Sequence, residues 1–143
     1  MQALKIVCPK CNSVNHMDCK ADNTSLLCTQ CQKALHNRSP QEVSDESCII
    51  NLLENDIPVL IDFYSPTCVP CMEMSDDYEG AAYGYSLKVK FLKINTNVFQ
   101  EVAKKYNIKS LPTIIAFKNN EEISRIGGVL SQYEISKLAK SLL

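Results

Sequence analysis

Nowhere in these 143 residues is there a run approaching the ~20 consecutive apolar residues that a membrane-spanning helix needs. The opening stretch Met1-Gln2-Ala3-Leu4-Lys5-Ile6-Val7-Cys8 has no long apolar segment behind its charge, so it does not read as an export signal. These two absences point to a soluble protein of the cytoplasm with no membrane partner. Tryptophan is missing altogether, and residues 1–40 contain no Phe or Tyr either. That segment is locally positive, with five basic and two acidic side chains, yet it offers no aromatic platform on which unpaired bases could stack. Its basic residues, Lys5, Lys10, Lys20, Lys33 and Arg38, are spread out and read as a solvated surface rather than a nucleic-acid interface.

What remains is a chain that is 45% hydrophobic and 22% charged, able to bury a core but long enough for only one ordinary domain plus a small module. Eight cysteines would suit a disulfide framework in a secreted protein, but six of them fall into three Cys-x-x-Cys pairs with no export signal. The pairs divide by context. Cys8/Cys11 and Cys28/Cys31 are separated by sixteen residues, the spacing of a zinc ribbon, in which two knuckles give four thiolates to one tetrahedral metal. Cys68/Cys71 stands alone, after the apolar run Val59-Leu60-Ile61-Asp62-Phe63-Tyr64 and before a helical pattern, where a redox dithiol sits on a β-α unit.

Residues 32–44 are mostly polar and read as a connector into a short strand near Val43, which places a zinc module at 1–39 and a larger domain at 40–143. Asp45 is positioned to cap a helix with Ile49, Ile50, Leu52 and Leu53 on its apolar face, and Pro58 ends it. Val59–Tyr64 is then a central strand. From Pro70 the spacing of Met72, Met74, Tyr78, Ala81, Ala82 and Tyr85 predicts a helix ending near Gly84. A strand follows at Val89–Ile94, and a helix around Phe99–Tyr106. Strands Thr113–Phe117 and Glu122–Ile126 flank Asn119-Asn120, residues that tolerate the positive φ of a tight hairpin, and Gly127-Gly128 ends the second. Gln132–Leu142 closes the chain as a helix. From Val59 the order is β-α-β-α-β-β-α, an α/β arrangement whose sheet must be mixed, with an antiparallel hairpin at its end.

Four separated blocks together carry a family resemblance. Asp62-Phe63-Tyr64-Ser65-Pro66-Thr67-Cys68-Val69-Pro70-Cys71, Val89–Asn95, Ile108-Lys109-Ser110-Leu111-Pro112-Thr113 and Phe117–Glu121 resemble the thioredoxin family in order and separation. With the two N-terminal pairs included, the whole chain resembles the zinc-ribbon thioredoxins, a second thioredoxin type of some bacteria. The resemblance implies a thioredoxin fold, a central sheet with helices on both faces, and reversible reduction of protein disulfides, with electrons drawn from an NADPH-dependent reductase. It implies no organic cofactor beside one structural zinc ion.

On that resemblance Cys68, at a helix N-terminus that favours an anion, is the attacking sulfur and Cys71 the resolving one. Asp62, alone among apolar neighbours, is expected to be buried and to accept the Cys71 proton through water, with Lys93 near its carboxylate. Pro112 resembles the family's cis-proline opposite the dithiol. Leu111 and Thr113 flank the groove it shapes, Gly128 lies beside it, and Thr67, Val69 and Pro70 form the dithiol side. Cys48 falls among apolar helix residues and reads as core packing.

The chain departs from the family at the dithiol, where Thr67, Val69, Met72 and Ser75 stand in place of the usual tryptophan, glycine, basic residue and proline. Loss of the tryptophan shrinks the docking surface, and loss of the proline predicts a straighter helix. At the zinc module four thiolates leave no open metal position, so a structural role is the default; a redox switch that releases zinc is the sharper reading. His16, Cys19 and His36 are alternative ligands. A rival reading of the whole chain is a zinc-dependent binding or chaperone-like module using an altered thioredoxin domain as a docking platform, and an isomerase or oxidant stays open because reduction potential is not legible. Without a basic residue at position 72, and with Glu73, Asp76 and Asp77 nearby, the Cys68 thiolate is disfavoured. A thiolate titration is expected to give Cys68 a higher pKa than in relatives with a basic residue there; an equal or lower value overturns this.

Overall fold

In a computed structural model, which describes residues 3–18 and 26–143, the chain forms two sheets. Strands β1 (Ala3–Val7) and β2 (Val14–Asp18) make an antiparallel pair with Ile6 opposite Asn15. The second sheet has five strands: β3 (Gln41–Val43), β4 (Val59–Tyr64), β5 (Lys90–Asn95), β6 (Thr113–Lys118) and β7 (Glu121–Gly127), in the order β3-β5-β4-β6-β7. The first three run parallel, and β6 and β7 run antiparallel to their neighbours, the mixed sheet expected. Asn119 and Asn120 both take positive φ, 54° and 62°, in the turn between β6 and β7, a conformation that suits a two-residue hairpin.

Helices α1 (Asp45–Glu54), α2 (Val69–Tyr83), α3 (Glu101–Lys105) and α4 (Gln132–Ser141) cover the five-stranded sheet. Because successive strand side chains alternate, β4 serves both faces. Val59, Ile61 and Phe63 pack with Cys48 and Leu52 of α1 and Val102 of α3, while Leu60 packs with Met74 and Tyr78 of α2 and Ile135 of α4. The same alternation sends Asp62 to the α2 side. Among the described residues no helix is long and apolar enough to cross a membrane.

Several sequence expectations shift. Ser44, not Asp45, caps α1: it accepts from the Ser47 N–H while Ser47 bonds back, a reciprocal capping box. Asp45 instead accepts from Val102 N at 2.9 Å and ties α3 to α1. On α1, Ile49 and Leu53 are exposed, and Ser47, Cys48, Asn51 and Leu52 are buried. The buried amides are satisfied, Asn51 donating to Ser47 O and Asn55 donating to Asn51 Oδ1, so polarity there is no obstacle to burial. Met72 is exposed rather than facing the core, and α3 is only five residues long.

The N-terminal segment docks on the larger sheet through both apolar and polar contacts. Ile6 and Met17 pack on Ile57, with Leu87 alongside. Asn55 Oδ1 accepts from Val7 N at 2.8 Å, Lys5 N donates to Asp56 Oδ2, and Lys5 Nζ pairs with Glu54 at 3.0 Å. These contacts lie just before β4 and β5 begin, the end of the sheet opposite the loop that follows Tyr64. Truncating Asn55 to Ala leaves the buried Val7 N–H unpaired, a loss of about 1–3 kcal/mol. Urea unfolding of that variant is expected to shift its midpoint down accordingly; an unchanged midpoint argues against this seam.

Candidate active site and metal centre

The loop leaving β4 is held tightly before α2 begins. Cys68 N donates to Ser65 O at 3.1 Å, and the Ser65 and Thr67 hydroxyls pair at 3.0 Å. Cys68 is the N-cap of α2, its sulfur accepting from Cys71 N at 3.2 Å, and Pro70 occupies the first turn, where a missing N–H is harmless. The Cys68 and Cys71 sulfurs are bonded to each other, with Cα atoms 5.2 Å apart. Their access differs: Cys68 is partly exposed, whereas Cys71 is 4% exposed.

Behind them is Asp62, 1% exposed, with Oδ1 buried and lacking a hydrogen-bond partner. Burial pushes its carboxyl up to about 7, opposed by Lys93 and reinforced by Glu42. Strand register explains both neighbours, since Lys93 of β5 lies between Asp62 of β4 and Glu42 of β3 in one row across the sheet. The Lys93 amine stands 4.6 Å from the centre of the Tyr64 ring, and the Tyr64 hydroxyl donates to Glu42 at 2.6 Å. A cleft of about 80 Å³ reaches this group, lined in part by Asp62, Cys71, Met72, Ser75 and Lys93.

The other residues singled out in the sequence gather at the same end of the sheet. Thr113 starts β6 opposite Phe63 and Gly127, so Pro112 lies beside the end of β4 from which the dithiol loop departs. The Leu111–Pro112 peptide is cis, and Pro112 O accepts from Gly128 N at 2.9 Å, with Gly128 at φ +96°. Leu111 is half-buried; Thr113 is buried, its hydroxyl bonded to Ser110 O. Thr67 and Pro70 are exposed, as is Val69 at 60%. Cys48 is fully buried, and burial pushes its thiol up to about 12, which keeps it neutral.

At the far end, Cys8, Cys11, Cys28 and Cys31 place their sulfurs within 4.8 Å of one another. Two pairs, Cys8 with Cys31 and Cys11 with Cys28, are 3.6 Å apart. Sulfurs on a zinc tetrahedron of 2.3 Å radius lie roughly 3.8 Å apart, so the donor set and its dimensions fit that ion. Both knuckles share one backbone form: Asn12 N and Gln32 N bond back to Cys8 O and Cys28 O at 3.0 Å, each with positive φ. Lys10 N and Gln30 N point at the Cys8 and Cys28 sulfurs from 3.4 Å. His16 and His36 are not in the four-sulfur cluster, and Cys19 lies outside the described residues.

Two residues near these sites, Asn15 and Lys90, were not anticipated, and a third, Ser75, was read only as the absence of a proline. Asn15 of β2 donates to the Cys28 sulfur at 3.4 Å, a contact with a residue thirteen positions along that no local pattern signals. Lys90, first in β5, is buried, its amine pushed down to about 8 by burial while the negative charge of a Cys8 thiolate opposes that shift. Ser75 lines the Asp62 cleft, and its place one helical turn after Cys71 is a signal that helix periodicity contains.

Residues 39–141 match the Thioredoxin family. Thioredoxin 1 of Nostoc sp. is 32% identical over 96 residues, 67% of this chain and 90% of its own length. Thioredoxin C-3 of Corynebacterium nephridii is 29% identical over 132 residues, 92% of this chain and 90% of its own, so that match takes in the N-terminal segment as well. In three dimensions the crystal structure of chloroplastic thioredoxin z superposes with a TM-score of 0.67 at 21% identity, covering 73% of this chain and 94% of that one. A vicinal dithiol capping a helix, on a mixed sheet of this topology, defines a protein thiol–disulfide oxidoreductase. The chain belongs to the thioredoxin family.

Asp62 makes stability depend on pH with a definite sign. Below about pH 3.8 the folded and unfolded chains both hold the proton, and this contribution is fully present. As pH rises toward 7 the unfolded chain ionises first, and about 4 kcal/mol is lost. Asp62→Asn is therefore expected to exceed the native chain in stability by up to that amount at about pH 8 in urea unfolding, the gap closing near pH 4. Equal stability at about pH 8 contradicts the assignment of a raised carboxyl.

Proposed function

We propose that the protein is a zinc-ribbon thioredoxin that reduces protein disulfides through Cys68 and Cys71. Residues 1–39 form the zinc module and residues 40–143 the catalytic domain. The observation that carries this reading is a half-exposed sulfur capping a helix, bonded to a buried one, with an orphaned carboxyl behind them. Cys68 as thiolate attacks one sulfur of the substrate, forming a mixed disulfide and expelling the other sulfur as thiolate. Cys71 then loses its proton toward Asp62 and attacks the Cys68 sulfur. The second substrate thiolate leaves, and two electrons have passed from the dithiol to the substrate.

Lys93 bears on the Asp62 charge, and the remaining residues receive the substrate. Thr67, Val69 and Pro70 supply the face beside Cys68, while Leu111, cis Pro112, Thr113 and Gly128 border an extended substrate segment. Electrons return from an NADPH-dependent reductase, in the cytoplasm. Cys8, Cys11, Cys28 and Cys31 hold one zinc ion, which supplies folding energy to a segment with few large apolar side chains and leaves no position for a catalytic water. The close fit of the four sulfurs to a zinc tetrahedron supports the metal.

The test compares the zinc-loaded native chain with Cys68→Ser and Cys71→Ser in reduction of a model protein disulfide. Cys68→Ser is expected to lose all activity while retaining one zinc per chain by native mass spectrometry. Cys71→Ser is expected to accumulate a mixed disulfide at Cys68. A slow rate unchanged by Cys68→Ser would instead favour a binding module that does not use the dithiol.

A further inference from the structure

Cys71 must give up a proton in a place almost closed to solvent. At 4% exposure it has little direct route to bulk water, and the buried Asp62 Oδ1 has no protein partner. Both line the same cleft, whose volume of about 80 Å³ exceeds the roughly 10–15 Å³ that one water requires. A cleft of mixed walls that carries hydroxyls and a lysine amine and reaches an unsatisfied carboxyl oxygen is a site for ordered water.

The cleft contains three side-chain hydroxyls. That of Tyr64 donates to Glu42 at 2.6 Å, and that of Ser65 is paired with Thr67 at 3.0 Å. Ser75 is the third. It lies four residues after Cys71 on α2, so the two side chains are neighbours on one helix face. A serine inside a helix often bonds back to the carbonyl of residue i−4, but among the described residues the Ser75 hydroxyl makes no hydrogen bond. It is thus the cleft hydroxyl left to serve as donor and acceptor to water.

Resting on the Cys71–Asp62 reading above, we propose that Ser75 is a positioning residue that holds the water carrying the proton from Cys71 to Asp62. The water accepts the thiol proton and passes one to the Asp62 carboxylate, regenerating itself. The Cys71 thiolate closes the Cys68–Cys71 bond as the substrate thiolate departs. Met72, 60% exposed, is among the side chains lining this same cleft.

The experiment follows the reduced, zinc-loaded protein reacting with dithionitrobenzoate, which releases one thionitrobenzoate when Cys68 attacks and a second when Cys71 resolves. Thionitrobenzoate leaves without needing a proton, so the second phase isolates deprotonation of Cys71. Ser75→Ala is expected to leave the first release unchanged and slow the second about tenfold near neutral pH, a modest share of what proton relays contribute. Ser75→Thr, which keeps the hydroxyl, is expected to restore it. The deficit should vanish as pH rises and Cys71 becomes thiolate without assistance. Lys93 from β5, Glu42 from β3, Tyr64 from β4 and Tyr78 from α2 act on the Asp62 charge alike in the native chain and both Ser75 variants, so they cancel in that comparison.

A slow second release in Asp62→Asn beside a native rate in Ser75→Ala would overturn the role of Ser75 and leave that of Asp62 standing. An equal deficit at every pH would also overturn it, marking Ser75 as merely structural. Native rates in both variants would remove the Asp62 reading, and this inference with it.

Discussion

A carboxyl held inside a β-sheet, away from water, is the constraint around which this molecule is arranged. Ionising an isolated carboxylate in such a place costs several kcal/mol, so a sequence that puts one in the central strand must either pair it or use it. Asp62 is not fully paired. Lys93 lies beside it in the next strand but also stands over Tyr64, whose hydroxyl is engaged with Glu42. The row Glu42, Lys93, Asp62 places one positive charge between two negative ones, which moderates the carboxyl without neutralising it. The result is a carboxyl whose proton comes off near neutral pH, at the end of β4 from which the dithiol loop departs.

Helix α2 supplies the complementary half. Its N-terminus presents unpaired N–H groups to Cys68, and its first turn carries Cys71 inward, so the same few residues expose one sulfur and hide the other. Tyr78, two turns further on, anchors that helix by donating to Leu92 O at 2.8 Å across the sheet. Family membership thus has a local physical counterpart, because the dithiol is aligned by a strand end and a helix start that share one buried core.

Much of this was legible in the amino-acid order. The apolar run Val59–Tyr64, the Asn119-Asn120 turn and the three cysteine pairs each follow from a short local rule, and each element falls where that rule puts it. What escaped depends on partners distant in sequence. Asp45 looked like a cap because its type suits one, yet Ser44 makes the box with Ser47 and Asp45 reaches 57 residues along to Val102. Ile49 and Leu53 looked like a core face, but α1 turns its amides inward because Asn55 must meet Val7. Met72 matched helical spacing while lying on the outward side of α2. The burial of Lys90 has no local signature at all, since it requires the N-terminal segment to close over the start of β5.

Strands β4 and β5 are six residues each, so the segment seated before their first residues is about 20 Å from the sulfurs beyond their last. Attachment of the protein to a solid support confined to Lys10, exposed on the first cysteine knuckle, would therefore present every molecule with its redox end outward, because knuckle and dithiol lie at opposite ends of the sheet.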